Sequence, residues 1–142
     1  MAEAARPLLL QLLDTDDARV FCGALHRLSA SRDPEVALRV LEHVRAPGFA
    51  ERAADEQRAL LSALGATGDD TLLPALAELL DPAKKPSPAH AGILHGLALC
   101  AARIATPAAT ELLQRAQRSR WQATREAATL ALAARGVQRG AP

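Results

Sequence analysis

Apolar and polar residues alternate along most of the chain with the 3.6-residue period of an amphipathic α-helix. Glycine, proline and aspartate interrupt this pattern at short intervals, where helices are expected to begin or end. Connections this short predict that consecutive helices lie antiparallel to each other. The pattern predicts eight helices, at residues 6–13, 16–30, 34–44, 51–66, 71–80, 89–104, 107–118 and 121–135.

The expected helix starts repeat along the chain. Asp33 and Thr106 each precede a proline, which places a capping side chain before a proline at the first helical position. Asp69 and Asp70 are predicted to cap a helix in the same way. The spacing is 36 residues from Asp33 to Asp69 and 37 residues from Asp70 to Pro107. A helix pair repeated at this period is typical of an α-solenoid. Helix ends or turns are predicted at Gly48, Gly65, Gly68 and Gly136.

One repeat resembles a known family. Residues 63–80 read ALGATGDDTLLPALAELL, and this segment resembles a HEAT repeat, in which an aspartate caps the second helix of each pair. Residues 33–41 (DPEVALRVL) resemble it more loosely, as do residues 106–113 (TPAATELL), which lack the aspartate. The resemblance implies an all-α fold, a short α-solenoid of about four antiparallel helix pairs. We expect one domain over residues 1–142, with repeat units 16–45, 51–81 and 89–118, partial units 6–14 and 121–136, and a Pro/Lys linker at 81–88.

The composition agrees with helices and argues against sheet. The chain has 33 alanines and 24 leucines among 142 residues, but only seven valines and isoleucines and no tyrosine. Alanine and leucine are strong helix formers, whereas strands favour β-branched and aromatic residues. Phe21 and Phe49 are predicted to anchor the core or a turn, because phenylalanine is usually buried. The excess of 15 arginines over two lysines is typical of a GC-rich bacterial genome.

The HEAT resemblance implies a non-catalytic scaffold that binds another protein, because the second helix of each pair lines a concave surface in that family. Trp121 is an additional candidate for an exposed binding anchor, since Trp and Arg are enriched at interface hot spots; its alternative role is to cover the end of the core. The polar positions predicted to contact a partner are Glu35, Arg39, Glu42, His43, Glu78, Glu111, Gln114, Arg115 and Arg118.

The charge distribution leaves a second interpretation open. Residues 1–83 hold eight arginines against fourteen carboxylates, whereas residues 103–142 hold seven arginines against two. The alternative function is therefore binding of nucleic acid or another polyanion by the basic region 115–139. The leucine-rich first helix and alanine-rich last helix also suggest a homodimer formed through the solenoid ends. The arginines of the basic region are Arg115, Arg118, Arg120, Arg125, Arg135 and Arg139.

Spacing gives no support for an enzyme, a metal or a cofactor. His90 and His95 lie five residues apart and do not share a helix face, and no phosphate loop or nucleophile motif occurs. Cys22 and Cys100 are too few for a disulfide framework and are predicted to be buried small hydrophobes. No apolar run has the length of a membrane span. These features predict no cofactor, no membrane contact and a cytoplasmic location.

Overall fold

The computed structural model describes residues 5–30, 32–86 and 93–138. Within these ranges it contains eight α-helices and no strand, so the prediction of an all-α chain is confirmed there. Three short 3-10 segments, Leu12–Asp14, Pro47–Glu51 and Asp70–Leu72, join or extend the helices. The helices are α1 (Arg6–Gln11), α2 (Ala18–Leu28), α3 (Pro34–Arg45), α4 (Ala54–Thr67), α5 (Leu73–Leu79), α6 (Leu94–Ala102), α7 (Pro107–Ala116) and α8 (Gln122–Gln138).

Side-chain caps begin three of these helices. Asp17 accepts the backbone N–H of Arg19 at 2.9 Å at the start of α2. Asp33 accepts the N–H of Glu35 at 3.1 Å before Pro34 of α3. Thr106 caps α7, although its contact with the amide of Ala109 is long at 3.4 Å. The two predicted cap-proline pairs are therefore confirmed.

The helix predicted after Asp69-Asp70 starts with a 3-10 segment, and the α-helix α5 itself starts later than predicted, without a side-chain cap. That helix begins at Leu73, and its capping position, Leu72, makes no side-chain cap. Pro74 has no N–H to donate to the carbonyl of Asp70, so the 3-10 segment Asp70–Leu72 precedes the α-helix. The Asp70 carboxylate instead accepts a hydrogen bond from the Thr106 hydroxyl at 2.9 Å.

Two of the predicted helix ends also differ. Gly65 lies inside α4 and is buried, and α8 continues through Gly136 to Gln138. Burial of the apolar helix face outweighs the roughly 1 kcal/mol by which glycine disfavours a helix interior. Gly68 does end α4, and Gly48 lies in a 3-10 segment. Residues 89–92 of the predicted sixth helix and residues 87–88 of the predicted linker lie outside the described residues, while 81–86 are non-helical as predicted.

The chain divides into two compact units, Met1–Asp69 and Asp70–Pro142. In the first unit, α4 packs against both α2 and α3. Its core includes Phe21, Leu28, Val36, Leu60 and Leu64, all of which are fully buried. Phe49 is also buried, so both phenylalanines anchor the core as predicted.

The second unit is built around its last helix. α8 packs against α6 and α7, and α5 packs against the same two helices. Leucines on α6 and α7 and alanines on α8 are fully buried. Alanine on one helix lets a neighbour approach closely, so that leucine fills the remaining space. Representative buried residues are Leu97, Leu113, Ala128 and Ala131.

Gly23 gives a direct test of the helix assignment in the first unit. It lies inside α2 on an exposed position, and a Cβ added there meets no atom within 4 Å. We expect Gly23→Ala to raise the free energy of unfolding by about 0.5–1 kcal/mol, because alanine is a better helix former and restricts the unfolded chain. Chemical denaturation measures this change. Gly23→Ser should give an intermediate gain, and a loss of stability in both variants would contradict the assignment.

Candidate functional site

Three of the predicted contact residues share the exposed face of α3. Glu35, Arg39 and Glu42 are all exposed, and Arg39 Nε lies 3.9 Å from a carboxylate oxygen of Glu42. Leu38 lies among them on the same face and is 47% exposed. An apolar side chain bordered by charged ones has the arrangement of a binding anchor with a polar rim.

Arg6 fixes the first turn of this face. Its guanidinium donates to Asp33 at 2.9 Å and also lies 3.3 Å from the carboxylate of Glu35. Burial by itself raises the pKa of Asp33, but the hydrogen bond from Arg6 and the amides of Val36 and Glu35 outweigh this effect and lower it. Asp33 therefore stays ionised, and it holds α1 against the start of α3.

His43 does not lie on the face formed by the other α3 residues. It is half-buried, and its ring meets Phe21 edge-on, with the ring centroids 5.9 Å apart. Its Nδ1 is 3.3 Å from the guanidinium of Arg52, which is also 3.3 Å from Glu56. Arg52 was missed in the sequence, because only the 3-10 segment Pro47–Glu51 brings it back beside α3. His43 thus belongs to a polar groove whose lining also includes Asp14, Thr15 and Asp16.

The environment of His43 in this groove is expected to make the stability of the fold depend on pH. Burial, followed by the charge of Arg52, lowers the pKa of His43 below its usual value. Asp14 and Glu42 act in the opposite direction, and Arg39 adds to the lowering. In the unfolded chain the imidazole titrates at about pH 6.5. Between that pH and the lower pKa of the folded state, the unfolded chain binds more protons than the folded chain does. Stability from His43 is therefore present above this window and is lost as the pH falls through it.

The test is a proton NMR titration of the His43 imidazole together with unfolding measured across the same pH range. We expect the His43 pKa to lie below the ordinary value and to rise in Arg52→Gln, which removes a positive charge. His43→Gln should weaken the loss of stability on acidification. A His43 that titrates at or above the ordinary value would contradict this prediction.

The predicted contact residues of the second unit are exposed. Glu78 lies on α5, and Glu111, Gln114 and Arg115 lie on one face of α7. Arg118 continues this spacing beyond the last residue of α7 and is also exposed. The structure therefore brings four of the predicted residues together along α7 and the turn that follows it.

Trp121 is half-buried at the start of α8. Its indole N–H is buried and has no hydrogen-bond acceptor among the described residues. Two cations lie over its ring, with Lys85 Nζ at 5.5 Å and Arg120 Cζ at 5.2 Å from the centroid. The ring thus packs against the protein and contacts two positively charged side chains.

The arginines of the predicted basic region do not form one free surface. Arg125 donates to the backbone carbonyls of Ser119 at 3.1 Å and Arg120 at 3.0 Å. Arg135 is buried, and its guanidinium donates to the hydroxyl of Thr110. Arg139 lies outside the described residues. Arg115, Arg118 and Arg120 are the described arginines of this region whose guanidinium groups remain exposed without such a contact.

The two terminal helices differ in their exposed faces. On α1 and the 3-10 turn after it, Leu8 is 65% exposed and Leu12 is 41% exposed. The outer face of α8 carries Gln122 and Glu126, which are joined by a hydrogen bond of 2.7 Å, and the exposed side chain of Leu130. The first helix therefore leaves more apolar surface exposed than the last.

The cysteines differ in burial. Burial raises the pKa of the Cys100 thiol to about 12, so this thiol is protonated and unreactive at neutral pH. Cys22 is half-buried rather than buried as predicted, because the groove between α2 and α4 reaches its side chain. Burial and the nearby carboxylates Glu56 and Asp55 raise its pKa as well.

A search of the described residues for metal ligands finds no cluster of three or more His, Cys, Asp or Glu side chains suited to an ion. Among the same residues, no helix has the length and apolar character needed to cross a membrane. Comparison of the chain with protein-family models, with curated proteins and with solved structures finds no match.

Proposed function

We propose that this chain is a non-catalytic scaffold that binds another protein, and that its units are stacks of HEAT-like helix pairs. The observation that carries the proposal is the exposed polar faces of α3 and α7, which occupy equivalent positions in the predicted repeats. Each face presents exposed charged side chains within its own unit, where a partner protein can bind them.

Several hydrogen bonds join residues that are separated in sequence by one repeat period, and these bonds support the proposed stacking. The guanidinium of Arg32 donates to the carbonyl of Gly68, 36 residues away. The hydroxyl of Thr106 donates to Asp70, again 36 residues away, and the hydroxyl of Ser119 donates to the carbonyl of Pro82 over 37 residues. Contacts at one repeat length are expected where equivalent positions of neighbouring repeats lie side by side.

The face of α3 offers the features of an anchor site. Leu38 is 47% exposed and stands among Glu35, Arg39 and Glu42. A partner that covered Leu38 would remove apolar surface from water, while the surrounding charges would set its orientation. The face of α7 has charges at Glu111 and Arg115 and a neutral polar group at Gln114.

The test is affinity capture by the tagged chain, followed by mass spectrometry, with variants that alter one face each. Glu111→Arg/Arg115→Glu reverses the charge pattern of α7 and keeps the net charge, while Leu38→Ser removes the anchor on α3. Leu130→Ser, an exposed apolar residue on α8, is the control for Leu38→Ser. We expect a face variant to lose specific partners that the parent and the control retain, at unchanged thermal stability. Capture of the same proteins by all variants would contradict the proposal.

A further inference from the structure

A buried serine brings two distant basic segments together in the second unit. Ser119 is 2% exposed, and its hydroxyl donates to the carbonyl of Pro82 at 3.0 Å while it accepts the N–H of Trp121 at 3.1 Å. The segment before α6 is thereby fastened to the turn between α7 and α8. As a result Lys85, from the first segment, reaches the indole ring that also contacts Arg120 from the second.

Four cations of these two segments have no carboxylate partner among the described residues. Lys84, Lys85, Arg118 and Arg120 are exposed and form no ion pair with any of the described residues. The carboxylate of nearby Asp81 accepts the backbone N–H of Ala83 at 2.8 Å. Lys85 and Arg120, which meet at one indole ring, repel each other, and an added anion would relieve that repulsion.

The start of α8 adds to the positive potential. This helix has 17 residues, and its first turn carries no acidic side chain. The N-terminal end of a helix bears a partial positive charge, so it attracts anions that reach it. The cations and the helix end therefore act in the same direction around Trp121.

We propose that Lys84, Lys85, Arg118, Arg120 and the edge of Trp121 form a binding site for a carboxylate-rich segment of a partner protein. The inference rests on the proposed function in one respect, namely that the ligand belongs to a protein. Arginine binds a carboxylate through two parallel hydrogen bonds, and the lysines supply point charges to neighbouring carboxylates. We name this set of residues the Trp121 site.

The aromatic residues favour an acidic peptide over a single-stranded nucleic acid. A base that stacked on Trp121 would compete with Lys85 and Arg120, which already lie over the ring. Phe21 and Phe49 are buried, and the chain has no tyrosine. Proteins that bind single strands without sequence preference usually stack successive bases on several aromatic side chains, and the Trp121 site supplies one.

The experiment uses Trp121 itself, since it is the one tryptophan in the chain. A decapeptide of glutamate is titrated into the full chain, and tryptophan emission and isothermal calorimetry are recorded at low and high salt. The matched glutamine decapeptide and a single-stranded oligonucleotide of equal charge are the comparison ligands. We expect saturable binding of the glutamate peptide that weakens with salt, no binding of the glutamine peptide and weaker binding of the oligonucleotide.

Variants locate the binding. Lys85→Gln/Arg120→Gln should lower the affinity for the glutamate peptide about tenfold or more, because the double variant removes two charge-assisted contacts. Arg19→Gln/Arg27→Gln, which removes two exposed arginines of the first unit, changes the net charge equally and should bind like the parent. Circular dichroism checks the fold. If the first double variant does not fold, Lys84→Gln/Arg118→Gln, which alters neither cation over the ring, provides the same comparison.

Three results would overturn the Trp121 site: no saturable binding by the parent at low salt, equal weakening by the control variant, or tighter binding of the oligonucleotide than of the peptide. These results do not depend on the capture experiment. If the peptide fails to bind but the α7 charge swap still abolishes capture, the result contradicts the Trp121 site and leaves the proposed scaffold function supported.

Discussion

Replacing Phe21 with alanine is expected to lower the free energy of unfolding by about 3–5 kcal/mol. Phe21 is fully buried in α2, with its ring edge-on to His43 at 5.9 Å and beneath the Arg52 guanidinium, whose Cζ is 4.5 Å from the centroid. The substitution removes the apolar burial, leaves a cavity and removes the ring that both of these side chains contact.

Urea unfolding followed by circular dichroism measures this loss. Phe21→Leu keeps much of the apolar volume and should cost less than Phe21→Ala. Val20→Ala, at a 38% exposed position one residue earlier, is the control and should change stability by no more than about 0.5 kcal/mol. A Phe21→Ala variant as stable as this control would mean that the ring does not support the packing of the first unit.

The parts of the fold that depend on neighbouring residues could be predicted from the sequence. Asp33 and Thr106 cap their helices because a capping side chain before a proline favours a helix start through local contacts alone. The same local rule does not describe the start of α5. Pro74, four residues after Asp70, has no N–H, so the carbonyl of Asp70 lacks the donor that it would have in an α-helix. Gly65 stayed helical because long-range packing outweighed its own weak propensity.

The position of His43 could not be predicted from its helix alone. Spacing along α3 places its side chain between the buried and the exposed face, and the prediction treated it as one of the exposed contacts. The environment of His43 is decided by Arg52 and Phe21, which come from other parts of the chain. A contact of this kind depends on how the intervening 3-10 segment turns, and no local pattern specifies that turn.

The Trp121 site, in contrast, left a signal in the sequence that the prediction did not use. Lys85 and Trp121 are 36 residues apart, which is the spacing between Asp33 and Asp69. If a repeat period places equivalent positions side by side, the same shift that aligned the caps also brings the Pro/Lys segment to the turn before α8. The structure has a contact at this spacing, with Lys85 Nζ 5.5 Å from the centroid of the indole ring.

Replacing Leu113 with alanine is expected to lower the free energy of unfolding by about 2–5 kcal/mol, toward the upper end of this range. Leu113 is fully buried on α7, and the helix packed against α7, α8, buries Ala128 and Ala131. Alanine has no rotamers with which to move into a cavity, so the space left by Leu113 would persist.

Leu130→Ala is the matched control, because Leu130 is 55% exposed on α8 and its loss leaves no enclosed space. It should change the free energy of unfolding by no more than about 0.5 kcal/mol when both variants are measured in urea. A small cost for Leu113→Ala, near that of the control, would show that the helices of the second unit move together to close the gap. In that case α8 would pack loosely against its neighbours. The stability of this unit would then not depend on the close approach of helices that alanine permits.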